Sequence, residues 1–308
     1  MTVINTGLTT VGIRAELFSR MDAVTTYYQD LCTRVPSTTE TERYRWLGTV
    51  PVMREWGTGR MVKGLRSESY DVENTKYEAT IEVDRDEIDD DQTAQIRMRI
   101  GELAVRAATH KDKLISDLLA NGASSGFNSY DGVTFFNAAH VSGASGSQDN
   151  ILSPTAVAPD APTVAEFQAA LKEAIARMMG FLDDVGEPAT NTGAEGFVIV
   201  CPPIQYLTAL EAINTTIVQS VRNILEGAAR VIAFPRLTDL SKFFLLKVNE
   251  AVRPFIFQDR MPVEFRAVEG GSEEEFLREK YLYGVRARYN ITYGYWQYAC
   301  SVDFTEPT

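Results

Sequence analysis

The 308-residue sequence is short of the residues from which metal centres, disulfide frameworks and proton relays are made: it has three cysteines and two histidines. Cys32, Cys201 and Cys300 lie far apart and form no CxxC pair. An odd, sparse set of this kind argues against a disulfide scaffold or a zinc ribbon and for a reducing compartment. No apolar run approaches the roughly 20 residues that cross a bilayer as a helix. Residues 1–18 show no basic segment leading into an apolar one, so no secretory leader is expected and the chain is expected to be made in the cytosol. Cations are outnumbered as well. Thirty Lys and Arg face 42 Asp and Glu, a formal net charge of -12, which excludes wholesale binding of nucleic acid through its phosphates. Gly57 and Gly59 begin a dinucleotide-type glycine pattern, but Val62 stands where its third glycine belongs and no strand precedes it. No cofactor and no metal are expected.

What is present suffices for a packed protein: 44% hydrophobic and 23% charged residues. The chain is organised around residues 69–122. Tyr77, Ala79, Ile81 and Val83 alternate with Lys76, Glu78, Thr80 and Glu82, the period of a strand. Beyond a crowd of carboxylates (84–91) the period becomes helical. Ile96, Ile100, Leu103, Ala107, Leu114 and Leu118 share one stripe, His110 falls near it, and Asn121 with Gly122 supplies a stop. The carboxylates do not match a calcium loop, because Ile88, Asp89 and Gln95 occupy positions that need a ligand, a glycine and a glutamate. They read instead as charges at the positive end of a helix dipole.

Upstream, residues 1–10 read as an arm. Leu17, Met21, Val24, Tyr28 and Leu31 recur at helical spacing behind Thr10 as a cap. Trp46 and Trp56, with Arg54 and Glu55 between them, read as an amphipathic anchor that packs on another surface. Residues 59–84 read as a hairpin that turns near Glu73 and Asn74. Its outgoing arm is basic (Arg60, Lys63, Arg66) and its return arm acidic (Glu78, Glu82, Asp84). Such a pattern fits pairing within the hairpin or, between subunits, setting register.

Residues 122–162 read as a surface loop rich in small and polar residues. It holds Gly122, Ser124 and Gly126 in nucleophile-elbow spacing, followed by Asp131 and His140 in hydrolase order. An elbow needs a strand before it and a helix after it; here a helix precedes and a loop follows. The serine-hydrolase reading on Ser124 therefore stays as a remote alternative, and no enzymatic activity is expected. Farther on, Thr163 and Glu166 make a capping box for a helix, 197–200 reads as a buried strand, Pro202 and Pro203 start a helix through Ile213, and 216–225 reads as a second helix. Short strands follow at 231–234, 243–248, 254–258 and 263–268. At the C-terminus Tyr281, Tyr283, Val285, Ala287 and Tyr289 alternate with polar residues, and Tyr293, Tyr295, Trp296 and Tyr298 end the run. Aromatics among arginines can stack single-stranded bases, but the alternation reads more simply as a sheet with one face on the core. The class is α+β.

Trp46, Leu47, Arg54, Trp56, Gly59, Arg60, Tyr70, Asn74, Tyr77, Val83, Asp84 and Asp86, together with Tyr281, Tyr283, Gly284, Arg288, Asn290, Gly294 and Trp296, resemble the pattern of major head (capsid) subunits of Mu-like phages and prophages. The resemblance implies the Hong Kong 97-type capsid fold. Residues 1–45 become an N-terminal arm and helix, 46–91 the extended E-loop region, and 92–196 a peripheral domain with the spine helix. Residues 197–253 become the axial domain, and 254–308 strands returning to the peripheral domain. It further implies self-assembly into hexamers and pentamers of an icosahedral virion capsid around double-stranded DNA, without sequence-specific contacts and without a membrane. Portal, scaffold and decoration proteins are the implied partners, and assembly takes place in the bacterial cytoplasm. An encapsulin-like compartment is the alternative on the same fold. The candidate subunit-interface residues are Trp46, Arg54, Glu55, Trp56, Arg60, Lys63, Arg66, Glu78, Glu82 and Asp84. Relatives of this fold can crosslink a loop lysine to a neighbour's asparagine. Lys63, Lys76 and Asn290 are present, but no suitable glutamate follows Asn290, so self-crosslinking is not expected.

Overall fold

The computed structural model describes residues 10–47, 70–89, 93–190, 193, 195–215, 217–218, 221–269 and 271–307. In chain order, α1 (Thr10–Ala23) and α2 (Tyr28–Leu31) precede β1 (Cys32–Pro36), β2 (Thr41–Arg43), β3 (Asp71–Glu73) and β4 (Thr75–Asp84). A short α3 (Arg85–Asp89) leads to the 29-residue α4 (Thr93–Asn121). Three two-residue strands follow, β5 (His140–Val141), β6 (Ser147–Gln148) and β7 (Ile151–Leu152), then α5 (Val164–Met179), β8 (Phe197–Cys201) and α6 (Pro203–Asn214). The remainder is β9 (Ile217–Val218), β10 (Val221–Arg222), β11 (Ala229–Ala233), β12 (Lys242–Lys247), β13 (Phe255–Val268), α7 (Glu273–Arg278), β14 (Lys280–Tyr293) and β15 (Ala299–Asp303).

Two sheets carry the architecture. One is ordered β1-β13-β14-β4, the other β11-β8-β12-β15-β7. The first is centred on a long antiparallel pair that runs from Phe255 opposite Tyr293 to Val268 opposite Leu282, its register shifting between Asp259 and Met261 and again between Met261 and Glu264. Gly294 follows this pair, its amide donating to the Pro254 carbonyl at 2.7 Å; a Cβ there would lie 2.4 Å from the Arg253 carbonyl oxygen, so only glycine fits the close approach. On this sheet lies the first half of α4 with α1. Ile13, Leu17, Ile96, Ile100, Leu103 and Ala104 close a small core against Val83, Tyr283 and Val285. The larger core surrounds the five-stranded sheet, where every residue of β8 is buried and α5 lays Phe167, Leu171 and Ile175 on it. The Thr163–Glu166 capping box forms as expected.

Four expectations are corrected. The helix expected to run on to Leu31 stops at Ala23, and α2 restarts after a bend. The carboxylate of Asp112, projecting from α4, accepts the Tyr27 amide at 3.1 Å and the Tyr28 amide at 2.8 Å, so the new helix start is capped from outside its own segment. Glu73 and Asn74 are not a hairpin turn. Asn74 joins β3 to β4, and β4 pairs over its full length with β14, about 200 positions away in the chain (Thr75 opposite Tyr289, Asp84 opposite Lys280). Residues 216–225 are not helical where described: β9 and β10 form a small antiparallel pair. Finally, β15 is not with the strands returning to the first sheet. It lies between β12 and β7 in the second, so the expected break at 253 does not separate the sheets.

The segment 122–162 also departs from a surface loop. Phe135 is fully buried, stacked on Tyr293 at 4.1 Å between ring centres, and Phe136 stacks on Phe244 at 5.3 Å. The segment plugs the seam between the sheets. Replacing Phe135 with Ala is therefore expected to cost about 3–5 kcal/mol of unfolding free energy, whereas a surface-loop substitution costs under about 0.5 kcal/mol. Urea denaturation of the variant distinguishes the two.

Candidate subunit-contact surface

The candidate contact residues gather around a stem. Residues 41–43 pair with 71–73 in antiparallel register, and the Tyr44 amide donates to the Tyr70 carbonyl at 2.9 Å. The chain between 44 and 70 therefore leaves and returns at one place. Arg54, Glu55, Trp56, Arg60, Lys63 and Arg66 belong to that segment and lie outside the described residues. Trp46 sits at its start, half-buried, with its ring edge-on to Tyr44 at 6.1 Å and to Tyr295 at 6.4 Å. Within the described residues it is thus an anchor of the stem on the body.

Hydrogen bonds fasten the stem at several points. The buried Tyr44 hydroxyl donates to Gln258 Oε1 at 2.8 Å, and Gln258 Nε2 donates to the Val72 carbonyl at 3.2 Å. Tyr70 and Thr292 share a hydroxyl contact of 2.6 Å. Asn290 Nδ2 donates to the Glu73 carbonyl at 2.7 Å, so this asparagine holds the stem to β14. Buried Asn74 donates from Nδ2 to Ser37 Oγ at 2.8 Å and to the Thr39 carbonyl at 2.9 Å. Glu42 Oε1 accepts from the Ser37 hydroxyl (2.8 Å), the Thr38 amide (3.0 Å), and the amide and hydroxyl of Thr39 (3.2 and 2.9 Å). These donors, the Ser37 hydroxyl first, hold the Glu42 carboxyl down at about 2. None of this was read from the sequence. Asn74 sits in a polar run with no period and its partners are set by the tertiary fold, whereas Glu42 takes its donors from Ser37, Thr38 and Thr39, three to five residues before it.

The three acidic candidates of β4 are exposed but partnered within the chain. Glu78 stands opposite Arg286 in register and accepts from Thr80 Oγ1 at 3.2 Å. Glu82 pairs with Lys280. Asp84 Oδ1 accepts the Asp86 amide at 3.1 Å where the short α3 begins; the long α4 has no acidic residue in its first turn, so the described part of the acidic joint serves α3 and not the start of the long helix. Among the described residues the cross-strand charges of β4 meet β14.

The spine α4 is tied to the same sheet by His110, whose Nδ1 lies 2.8 Å from the Tyr289 hydroxyl and whose ring centre is 4.4 Å from that of Tyr77. Burial, with the Lys113 charge beside it, lowers the His110 pKa. Burial raises that of Asp112 against the pull of its two amide donors.

The residues of the hydrolase alternative divide. Asp131 Oδ2 and His140 Nδ1 meet at 2.6 Å, both side chains buried. The imidazole, however, is sealed. Its Nε2 is 3.2 Å from the Phe135 carbonyl and its face stacks on Trp296 at 4.2 Å and 9°. Ser124 is exposed at the end of α4, where its amide donates to the Asn121 carbonyl at 2.8 Å. Neither ring nitrogen is left to take a proton from a serine, so the three residues do not form a triad. The C-terminal aromatics Tyr293 and Trp296 are core residues, not a stacking platform for bases. Among the described residues, no group of three or more His, Cys, Asp or Glu is placed to hold a metal ion, and no helix is long and apolar enough to cross a membrane.

Glu42 yields a pH test. Its folded value of about 2 lies below the ordinary glutamate value of 4.5, so its contribution to stability is fully present above 4.5 and is lost as pH falls through about 2. The stability difference between the wild type and Glu42→Gln, measured by urea unfolding from pH 6 to pH 2, should shrink steadily across that window. A difference that does not change with pH would contradict the assignment.

The Mu-like prophage major head subunit gpT family model matches residues 8–162 and 238–305. Among curated relatives, the Mu-like prophage FluMu major head subunit of Haemophilus influenzae is 24% identical over 276 residues, covering 89% of this chain and 65% of its own length. The major capsid protein of Escherichia phage Mu is 25% identical, covering 89% of this chain and 66% of its own length. The chain thus spans about two thirds of these relatives. Among solved structures, the procapsid chain of bacteriophage JBD30 aligns with 100% of this chain and 77% of its own, at a TM-score of 0.58 and 21% identity. The mature capsid chain of phage PhiM1 aligns with 92% of this chain and 89% of its own, at 0.59 and 10%. These likenesses show the fold, the Hong Kong 97-type fold of phage capsid chains.

Proposed function

Because the chain belongs to the Mu-like prophage major head subunit gpT family, we propose that it is the major head subunit of a tailed phage or prophage. Copies assemble into hexamers and pentamers of an icosahedral shell that encloses double-stranded DNA. The observation that carries this reading is the family match over 8–162 and 238–305, the spans that contain the arm helix, the stem, the spine and the long strand pair. The net charge of -12 suits a shell that must not grip the DNA it holds.

The mechanism is assembly. The stem hands residues 44–70 outward, and Trp56 is buried on a neighbouring copy while Arg60 or Lys63 pairs with carboxylates there. Trp46, Arg54, Glu55 and Arg66 belong to the same contact. Glu78, Glu82 and Asp84 set the register of β4 within the chain and face the neighbour from its exposed side. Portal and scaffold proteins are separate partners, and assembly proceeds in the bacterial cytoplasm. A decoration protein also fits this reading, since a JBD30 capsid is decorated with minor capsid protein trimers.

A second reading keeps the fold and changes the contents. The virus-like particle of Pyrococcus furiosus aligns with 94% of this chain at a TM-score of 0.55 and 12% identity. Nucleic acid inside purified particles favours a phage head; a co-purifying enzyme favours a cargo compartment.

Negative-stain microscopy of the purified chain should show shells of regular size. Arg60→Glu should leave a folded, soluble subunit and reduce shell yield at least tenfold. Normal shells from that variant would remove Arg60 from the contact, and the absence of any particle from the wild type would remove the head-subunit reading.

A further inference from the structure

The β13–β14 pair ends in a knob. Each strand has 14 residues, roughly 45 Å at strand rise, and α7 closes the far end. On α7 Phe276 is 86% exposed and Leu277 66%, adjacent large apolar side chains at the tip of an arm. The knob is held rigid. Ser272 Oγ accepts the Glu275 amide at 3.2 Å, and Glu275 Oε1 accepts the Tyr281 hydroxyl at 2.9 Å and lies 3.6 Å from Arg85 Nη1. Glu279 ends the helix in the left-handed conformation at φ 56°. Around the apolar pair the charge is acidic: Glu273 and Glu279 are exposed without an ion-pair partner among the described residues, while Glu274 pairs with Arg278 at 3.4 Å. A rigid acidic knob with a bare apolar centre is shaped for contact.

A complementary surface lies on the same chain. On the solvent side of α4, Met98 is 63% and Val105 44% exposed, seven residues apart. Beside them Arg99, Arg106 and Lys113, also seven apart, are exposed and make no ion pair among the described residues. At helix rise, steps of seven place these cations about 10.5 Å apart along one flank, with the apolar pair on the other. Glu102 is exposed on the same face, one turn from Met98, Arg99, Val105 and Arg106, so the stripe carries three cations to one carboxylate where the knob is acidic and apolar, on a chain whose net charge is -12.

We propose that α7 of one copy docks on the α4 stripe of a neighbouring copy, Phe276 and Leu277 covering Met98 and Val105 while Glu273 and Glu279 face Arg99, Arg106 and Lys113. The occupant is a second copy because one chain carries both halves with opposite charge. Such a contact is head-to-tail, and repeated it closes rings or extends sheets of subunits. It rests on the reading of the chain as a shell subunit, but it concerns a surface distinct from the stem and from residues 44–70.

The test uses the full chain. Phe276→Ser/Leu277→Ser should keep the far-ultraviolet spectrum and melting temperature of the wild type and lower shell yield at least tenfold. Glu273→Arg/Glu279→Arg and Arg99→Glu/Arg106→Glu should each do the same, and the chain carrying all four charge changes should regain shells. In a mixture of Phe276→Cys and Val105→Cys chains, mild oxidation should give a covalent dimer absent from either chain alone; the native cysteines are all buried. Wild-type shell yield from the Phe276→Ser/Leu277→Ser chain, no recovery in the four-charge chain, or no dimer in the mixture overturns the docking. If the wild type forms no shells, the head-subunit reading fails separately, and the dimer assay on the soluble chains still decides the contact.

Discussion

The antiparallel register between β13 and β14 is the constraint on which the rest of the molecule depends. It aligns 255 with 293 and 268 with 282, and both edges are then occupied: β1 runs parallel to the start of β13, and β4 pairs with β14. Because side chains alternate at period two, this register sends Tyr283 and Val285 to one face, where α4 and α1 bury them. A slip of one residue would turn that face to water and leave Ile96, Ile100 and Leu103 without a floor. It would also displace Asn290 from Glu73 and Tyr289 from His110, and with them the stem and the spine. Core, stem and knob thus follow from one pairing.

The same constraint explains how polar groups survive at the joints. Asp112 reaches the Tyr27 and Tyr28 amides, and Asn74 Nδ2 the Thr39 carbonyl, across distant parts of the chain, while Glu42 gathers the nearby amides of Thr38 and Thr39. Lys247 on β12 is the extreme case. It is fully buried, and its ammonium donates to the Gly193 and Glu195 carbonyls at 3.0 and 3.2 Å, over the Phe197 ring. These contacts fix polar and charged groups inside the fold.

Elements with a long period were legible. The 3.6-residue stripe through Ile96, Ile100 and Leu103 announces α4, the alternation from Tyr77 to Val83 announces β4, and Thr163 with Glu166 announces α5. What could not be read was which elements meet. Nothing local in β4 names β14 as its partner, and the basic residues before it invited a hairpin instead. The plug of 122–162 escaped notice because Phe135 and Phe136 are isolated among small polar residues with no period. Residues 217–222 carry a short apolar run that serves a strand as well as a helix. The Asp131–His140 pair was noticed for its order, but burial and Trp296 give it a packing role that spacing cannot show.

In the proposed assembly each copy reaches over its neighbours from a stem fixed on the β13–β14 pair. A cryo-electron-microscopic reconstruction of the assembled particle tests it most directly. A closed shell in which residues 44–70 of every copy cross onto an adjacent copy is the expected result. Particles in which that segment folds back on its own body would contradict it.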